Sequence, residues 1–372
     1  MRVVLVNYGG AIARQDTPNA VLDRFRTLTG WAEGLREAGA EVVVFQAFHG
    51  DAEVERGGVT YCLIASPSMA GRKRRFAVPR RLHREVAALR PDVVHVNSLL
   101  YSIQVRCLRR RLPSSAVLVV QHHAEAPPRR ILRPFDRWAL SAADGFFFNG
   151  RETAAPWCDT GLIDPRSVYE IAEGSSGFRP ADRRRSRDRT GLRGNPVCLW
   201  AAHLDANKDP LTVLRGLEPV LGEVPELRLY MAFQNAPLRP AVERLLASRP
   251  RLREAVELLG PMPYEKLESY FNSADIFLQG SHREGSGYAL LDAMACGVIP
   301  VVTSIPSFRF LAGTEAGALW TPGDPAALTR ALRQVLARPR GQERAKVEQR
   351  FASRLSFPAI GRQALEAYAE MQ

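Results

Sequence analysis

The sequence is short of lysine, of cysteine and of long apolar runs, and each shortage excludes something. No apolar stretch approaches the roughly 20 residues a membrane-crossing helix needs, so none is expected. The run Val3–Val6 that follows Met1 is too short for a secretory signal and lacks its flanks, which makes a cytoplasmic location the expectation. The five cysteines, Cys62, Cys107, Cys158, Cys198 and Cys296, are odd in number, far apart and without a CxxC pair. That argues against a disulfide framework and a zinc site, and reduced, mostly buried thiols are expected. Lysine occurs only at positions 73, 208, 266 and 346, so arginine supplies 47 of the 51 basic residues.

The net charge is +12, but a bias this strong towards arginine often reflects coding composition, so position says more than the total. Arg72-Lys73-Arg74-Arg75, Arg80-Arg81, Arg84, Arg109-Arg110-Arg111 and Arg129-Arg130 all fall in the first 130 residues. They read either as solvated helix faces or as a basic face that attracts an anionic acceptor or an anionic membrane surface. Nucleic acid is not an expected partner, because the clusters lack interleaved aromatics and no nucleic-acid-binding signature is present.

A length of 372 residues, 46% of them hydrophobic, suits two domains with a core each. Short apolar runs at Val3–Val6, Glu41–Phe45, Asp92–Val96, Val117–Gln121 and Gly145–Asn149 read as strands, with a helix over Leu22–Ala38. Arg179–Pro196 is polar, arginine-rich and bounded by proline, the composition of a linker. The alternation then resumes, with strands at Val197–Ala201, Leu227–Met231, Leu258-Leu259, Ile276–Gln279 and Ile299–Thr303. The helices between and after them are Pro210–Leu221, Arg239–Ala247, Tyr264–Asn272, Tyr288–Cys296 and Pro325–Ala337. The fold class is therefore α/β, with two Rossmann-like domains of parallel sheet. The expected division is residues 1–178, a linker over 179–196, residues 197–355, and an amphipathic C-terminal helix within 356–372 that packs back on the first domain.

The chemistry concentrates in Ser281-His282-Arg283-Glu284-Gly285-Ser286-Gly287-Tyr288. This turn joins the strand Ile276–Gln279 to a helix closed by Gly297. The N-terminus of such a helix offers free backbone N–H groups and a partial positive charge, both suited to a phosphate. Gly285 and Gly287 admit close approach, and Ser286 is the expected N-cap. Glu284 lies just outside the helix. Asp292 lies within it among Leu290, Leu291, Ala293 and Met294, where a carboxylate needs a partner; a sugar diol with two O–H donors would serve.

The text SHREGSGYALLDAMACGVIPVV, 281–302, resembles the signature of family 4 retaining glycosyltransferases of the GT-B fold. Further matches are AAHLDANKDPLTVL (201–214), LLGPMPYEKLESYFNSADIFLQGS (258–281), IPSF (305–308) and GALWTPGDPAAL (317–328). The first half matches more loosely, at Gly9-Gly10, PDVVHVN (91–97), VVQHHAE (119–125) and EGSSGF (173–178). The resemblance implies two sheets facing across a cleft and transfer from a nucleoside diphosphate sugar with retention and without a metal or other cofactor. It implies that Glu284 lies beside the donor sugar and that Lys208 contacts the pyrophosphate. Gly285, Ser286, Gly287 and Tyr288 would line the donor, and Asp292 would hold the ribose. His123, or His122 beside it, would approach the donor sugar, and Gly10 would lie near the diphosphate. The acceptor would be a glycan, a lipid-linked molecule or a small molecule.

Two positions depart from that pattern. Asp292 stands where the family has Glu, and His203 in Ala202-His203-Leu204 stands where it has Arg. Histidine, with an unperturbed pKa of about 6.5, is a weaker and titratable cation, so donor binding is expected to weaken as pH rises. A slow or inactive relative that binds a nucleotide or glycan, and a sugar-nucleotide epimerase of the same fold, are the alternative readings.

Overall fold

The computed structural model describes residues 1–9, 13, 15–69 and 74–372. The chain forms two compact units, Met1–Ser175 together with Phe357–Gln372, and Ser176–Ser356. The first holds eight strands: β1 (Arg2–Asn7), β2 (Glu41–Phe48), β3 (Ala52–Arg56), β4 (Val59–Ala65), β5 (Val93–Asn97), β6 (Val117–Gln121), β7 (Gly145–Phe148) and β8 (Val168–Glu170). Their order in the sheet is β3-β4-β2-β1-β5-β6-β7-β8. Val3 to Val6 are buried on both faces, which is why this strand is a continuous apolar run rather than an alternating one.

Three local features differ from the sequence expectation. β3 and β4 form an antiparallel hairpin at the sheet edge. The text Ala-Glu-Val-Glu-Arg gives no apolar signal because an edge strand needs little burial, and the turn uses Gly57 and Gly58 at φ +61° and +72°. The helix expected over 22–38 is two helices, Pro18–Arg24 and Arg26–Glu37, broken at Phe25 where ψ turns to 51°. Residues 179–196, read as a linker, carry the helix Arg183–Thr190. Asp182 caps it, and Arg183 and Arg187 reach the buried Asp275 at 2.8 and 2.7 Å. Its arginines thus neutralise a buried carboxylate of the second unit, a role invisible to composition.

The second unit holds β9 (Val197–Ala201), β10 (Arg228–Ala232), β11 (Val256–Gly260), β12 (Ile276–Gln279), β13 (Ile299–Thr303) and β14 (Ala318–Trp320). They pair in parallel throughout, in the order β11-β10-β9-β12-β13-β14.

The C-terminal helix Phe357–Glu370 belongs to the first unit and packs on Arg26–Glu37. Close approach requires glycine. A Cβ on Gly34 would lie 2.2 Å from the Phe357 carbonyl oxygen, and one on Gly361 equally close to the Gly34 oxygen. Tyr368 Oη meets His95 Nδ1 at 2.6 Å. All five cysteines are free thiols; Cys198 and Cys296 are buried and the other three half-buried. Among the described residues no helix is long and apolar enough to cross a membrane.

Candidate functional site

In the second unit, β12 ends at Gln279 and Gly280 follows it. A Cβ there would stand 2.9 Å from Val213 Cγ2 and 3.0 Å from the Lys208 carbonyl oxygen, so glycine lets the 205–209 loop close against the strand end. Asn207 joins the loop to the turn after β12. Its Nδ2 donates to the Arg283 carbonyl at 3.0 Å, and its Oδ1 accepts from Arg283 N at 3.1 Å. Asp209 adopts φ +50°, and its Oδ1 accepts from Thr212 N to start the helix Pro210–Glu223. Thr303 Oγ1 donates to the Ser281 carbonyl at 2.6 Å. Two loops distant in sequence are held as one rigid corner.

That corner brings Lys208 Nζ onto Glu284 Oε1 in an ion pair, with side chains 17% and 13% exposed. The same oxygen accepts from Ser281 Oγ at 2.6 Å and from Gln279 Nε2 at 3.1 Å. Gln279 Oε1, buried beside them, has no partner among the described residues. One oxygen of the Glu284 carboxylate thus takes three donors, next to an acceptor without a partner among the described residues.

The helix Tyr288–Ala295 begins alongside. Its N-cap is Gly287, not Ser286: the chain turns through φ +63° at 287, which glycine adopts without strain, and no side chain caps the helix. A Cβ at Gly287 would also come within 2.8 Å of Leu311 Cδ1. Gly285 and Ser286 are half-buried in the preceding turn, and Tyr288 is exposed. Asp292 is buried as expected, but protein hydroxyls satisfy it. Its Oδ1 accepts from Ser176 Oγ at 2.5 Å and Tyr264 Oη at 3.3 Å. These two hydroxyls offer the same O–H chemistry that a sugar diol would.

His203 is exposed, and its Nδ1 accepts from Asn235 N at 3.3 Å. No hydrogen bond among the described residues joins it to Lys208 or Glu284.

The first unit carries a separate polar cluster. Gly10, expected near a diphosphate, lies outside the described residues, as do Arg72 and Lys73. His122 stacks on Phe148 at 4.6 Å between ring centroids, and its Nε2 donates to the Glu125 carbonyl at 2.9 Å. Those contacts hold it as a packing residue and leave His123 as the functional candidate. His123 Nδ1 lies 3.6 Å from the buried Glu173 Oε1, and its Nε2 is buried without a partner among the described residues. Burial lowers its pKa, but the Glu173 carboxylate, helped by Glu125, outweighs burial, and the net shift is upward from 6.5. Glu173 is itself fixed, since its N–H donates to Asn149 Oδ1 at 2.8 Å and its carbonyl accepts from Trp31 Nε1 at 2.8 Å. Sequence reading singled out Glu173 only as part of EGSSGF and gave it no role. A buried acid opening a Gly/Ser turn was the available signal.

Solved structures share this architecture along the whole chain. They include a glycosyltransferase from Rickettsia africae, with a TM-score of 0.70, 12% identity and coverage of 100% of this chain and 98% of that one. HepE of Anabaena, solved in complex with UDP, gives 0.65 at 16% identity and covers both chains completely. The fold is GT-B, two Rossmann-like units of parallel sheet. Residues 182–353 match the family model described as glycosyl transferases group 1, and residues 26–174 the one described as glycosyltransferase family 4. The chain belongs to this family.

Among curated relatives, the D-inositol 3-phosphate glycosyltransferase of Geodermatophilus obscurus is 27% identical over 235 residues, 60% of this chain and 52% of that protein. The corresponding protein of Streptomyces avermitilis is 31% identical over 166 residues, 42% of this chain and 36% of its own length. The chain spans about half the length of the first curated relatives it matches.

Proposed function

We propose that this protein transfers a sugar from a nucleoside diphosphate sugar to an acceptor hydroxyl, with retention and without a metal. The observation that carries the reading is the corner where Lys208, Ser281 and Gln279 converge on Glu284 at the carboxyl end of β12, beside a helix N-terminus. Carboxyl ends of parallel strands are where open α/β sheets bind ligands. HepE of Anabaena, a protein of the same architecture, was solved with UDP-glucose, which supports a sugar nucleotide as donor.

In this reading the donor diphosphate takes the Lys208 ammonium and the positive end of the helix Tyr288–Ala295. The bond from the sugar's anomeric carbon to the diphosphate oxygen breaks, its electron pair leaves on the diphosphate, and the lysine and helix dipole stabilise that charge. Glu284, released from its cation, faces the electron-poor sugar. The acceptor oxygen then bonds to the anomeric carbon and gives its proton to the departing diphosphate. Asp292 exchanges a protein hydroxyl for a ribose hydroxyl, and His203 offers a ring N–H to a phosphate. His123, held by Glu173, is the group in the first unit able to exchange a proton with a hydroxyl. The acceptor is a glycan, a lipid-linked molecule or a small molecule.

The test is release of nucleoside diphosphate from a panel of UDP, GDP and ADP sugars, with the product's anomeric configuration read by NMR. Turnover of one donor with retention, lost in E284A, supports the proposal. Wild-type rates in E284A, an inverted product, or dependence on added divalent metal would each contradict it. A changed sugar nucleotide formed without acceptor would point to epimerisation.

A further inference from the structure

The segment Ala126–Leu140 reads APPRRILRPFDRWAL and connects β6 to β7 in the first unit. Its helix, Arg133–Leu140, buries Ala139 and Leu140 inward. Phe135 and Trp138, three residues apart on this helix, are 40% and 46% exposed, and Ile131, on the turn just before it, is 86% exposed. Phe135 and Trp138 also touch each other, with ring centroids 5.7 Å apart. Two more exposed apolar residues, Phe76 and Leu100, lie on short helical turns that pack together, and the turn holding Phe76 packs on the helix Ser102–Arg109, which in turn packs on Arg133–Leu140. Most of the large exposed hydrophobic side chains among the described residues therefore gather in one region of one unit. Soluble surfaces scatter such residues singly, and a gathered patch marks a docking site.

Charge identifies the occupant. The segment holds four arginines, at 129, 130, 133 and 137, against one acid, Asp136. Asp136 is buried and already engaged by Arg75 at 2.6 Å and Ser102 Oγ at 2.6 Å. The outward face thus shows positive charge only, and Arg129 and Arg130 are exposed on it. Arg106 lies 4.8 Å over the Trp138 ring, so the indole too is bordered by a cation. Interleaved arginine, indole and aliphatic groups match the boundary between headgroups and acyl chains. A helix of eight residues spans roughly 12 Å, against a hydrocarbon core of about 30 Å, so it lies along a bilayer rather than across it.

We infer that this face docks the protein on an anionic lipid bilayer, with Ile131, Phe135 and Trp138 inserted among the acyl chains and Arg129 and Arg130 on lipid phosphates. The surface belongs to the first unit and uses none of the residues placed in the sugar-transfer corner of the second. Its test needs no turnover, so either can fail without the other.

The experiment is flotation of the full chain with vesicles of phosphatidylcholine alone and of phosphatidylcholine mixed with phosphatidylglycerol. The variants are I131D and R129E/R130E, placed at exposed positions and required to keep the wild-type melting temperature. The wild type is expected to float with the anionic vesicles and to detach in high salt. Each variant is expected to lose at least ~10-fold in partitioning. Equal flotation with both vesicle types, no flotation, or wild-type flotation of I131D would overturn the inference. So would a dimer without vesicles that I131D separates, since the patch would then belong to a second copy of the chain.

Discussion

Lys208 is one of four lysines in a chain that otherwise uses arginine, and it is the residue whose ammonium meets Glu284. A compact ammonium and a planar guanidinium are not interchangeable at such a point. K208M is predicted to lower kcat by ~10²–10³, the usual effect of removing one group that stabilises a leaving charge, and K208R to recover little of it. Steady-state kinetics with the best donor checks both. A second residue-scale prediction concerns His123. Its folded-state pKa is raised, so its pairing with Glu173 adds stability that is complete below the unfolded value of 6.5 and is lost as pH rises through the folded value. E173Q should therefore destabilise the protein more at about pH 6 than at about pH 9, as read by urea unfolding at each pH. Glu284 and the two glycines around Ser286 were legible in one local stretch of text, and Lys208 in a separate one. Glu173 under His123 and Ser176 on Asp292 were not, because those pairings join segments that only folding brings together.

At the scale of elements, helix and strand text was readable wherever burial imposed a period or a run. β6, β9, β12 and β13 span the ranges expected from their apolar runs. The hairpin β3–β4 escaped because an edge strand is exposed, and the helix Arg183–Thr190 because its arginines serve Asp275 from a distance. The crossing of Phe357–Glu370 over Arg26–Glu37 depends on backbone contact at Gly34 and Gly361. G34A places a methyl group against the Phe357 carbonyl and is predicted to cost ~1–3 kcal/mol, with faster proteolysis after Ser356. A melting temperature equal to wild type would contradict this packing account.

For the molecule as a whole, two parallel-sheet units and the family followed from the order of the motifs, whereas the balance of buried charge did not. His95 is pushed down to about 3 by burial, then by the charge of His123, and His83 to about 4 by burial, then by Arg111. Both bind a proton in the unfolded chain before the folded one. Stability should therefore fall with acidity below 6.5, by about 1.4 kcal/mol per pH unit for each histidine, until their folded values are reached. Urea unfolding between about pH 5 and pH 7 measures the slope, and H95Q or H83Q should reduce it by one histidine's share.

The central claim is that the corner built from Lys208, Glu284 and the start of the helix Tyr288–Ala295 receives the diphosphate of a sugar nucleotide. Thermal unfolding of the full chain with saturating UDP, GDP or ADP tests it without requiring the acceptor. The account predicts that one of the three raises the melting temperature by ~5 °C or more and that K208M abolishes the rise. No rise with any of them, or an equal rise in K208M, would contradict it.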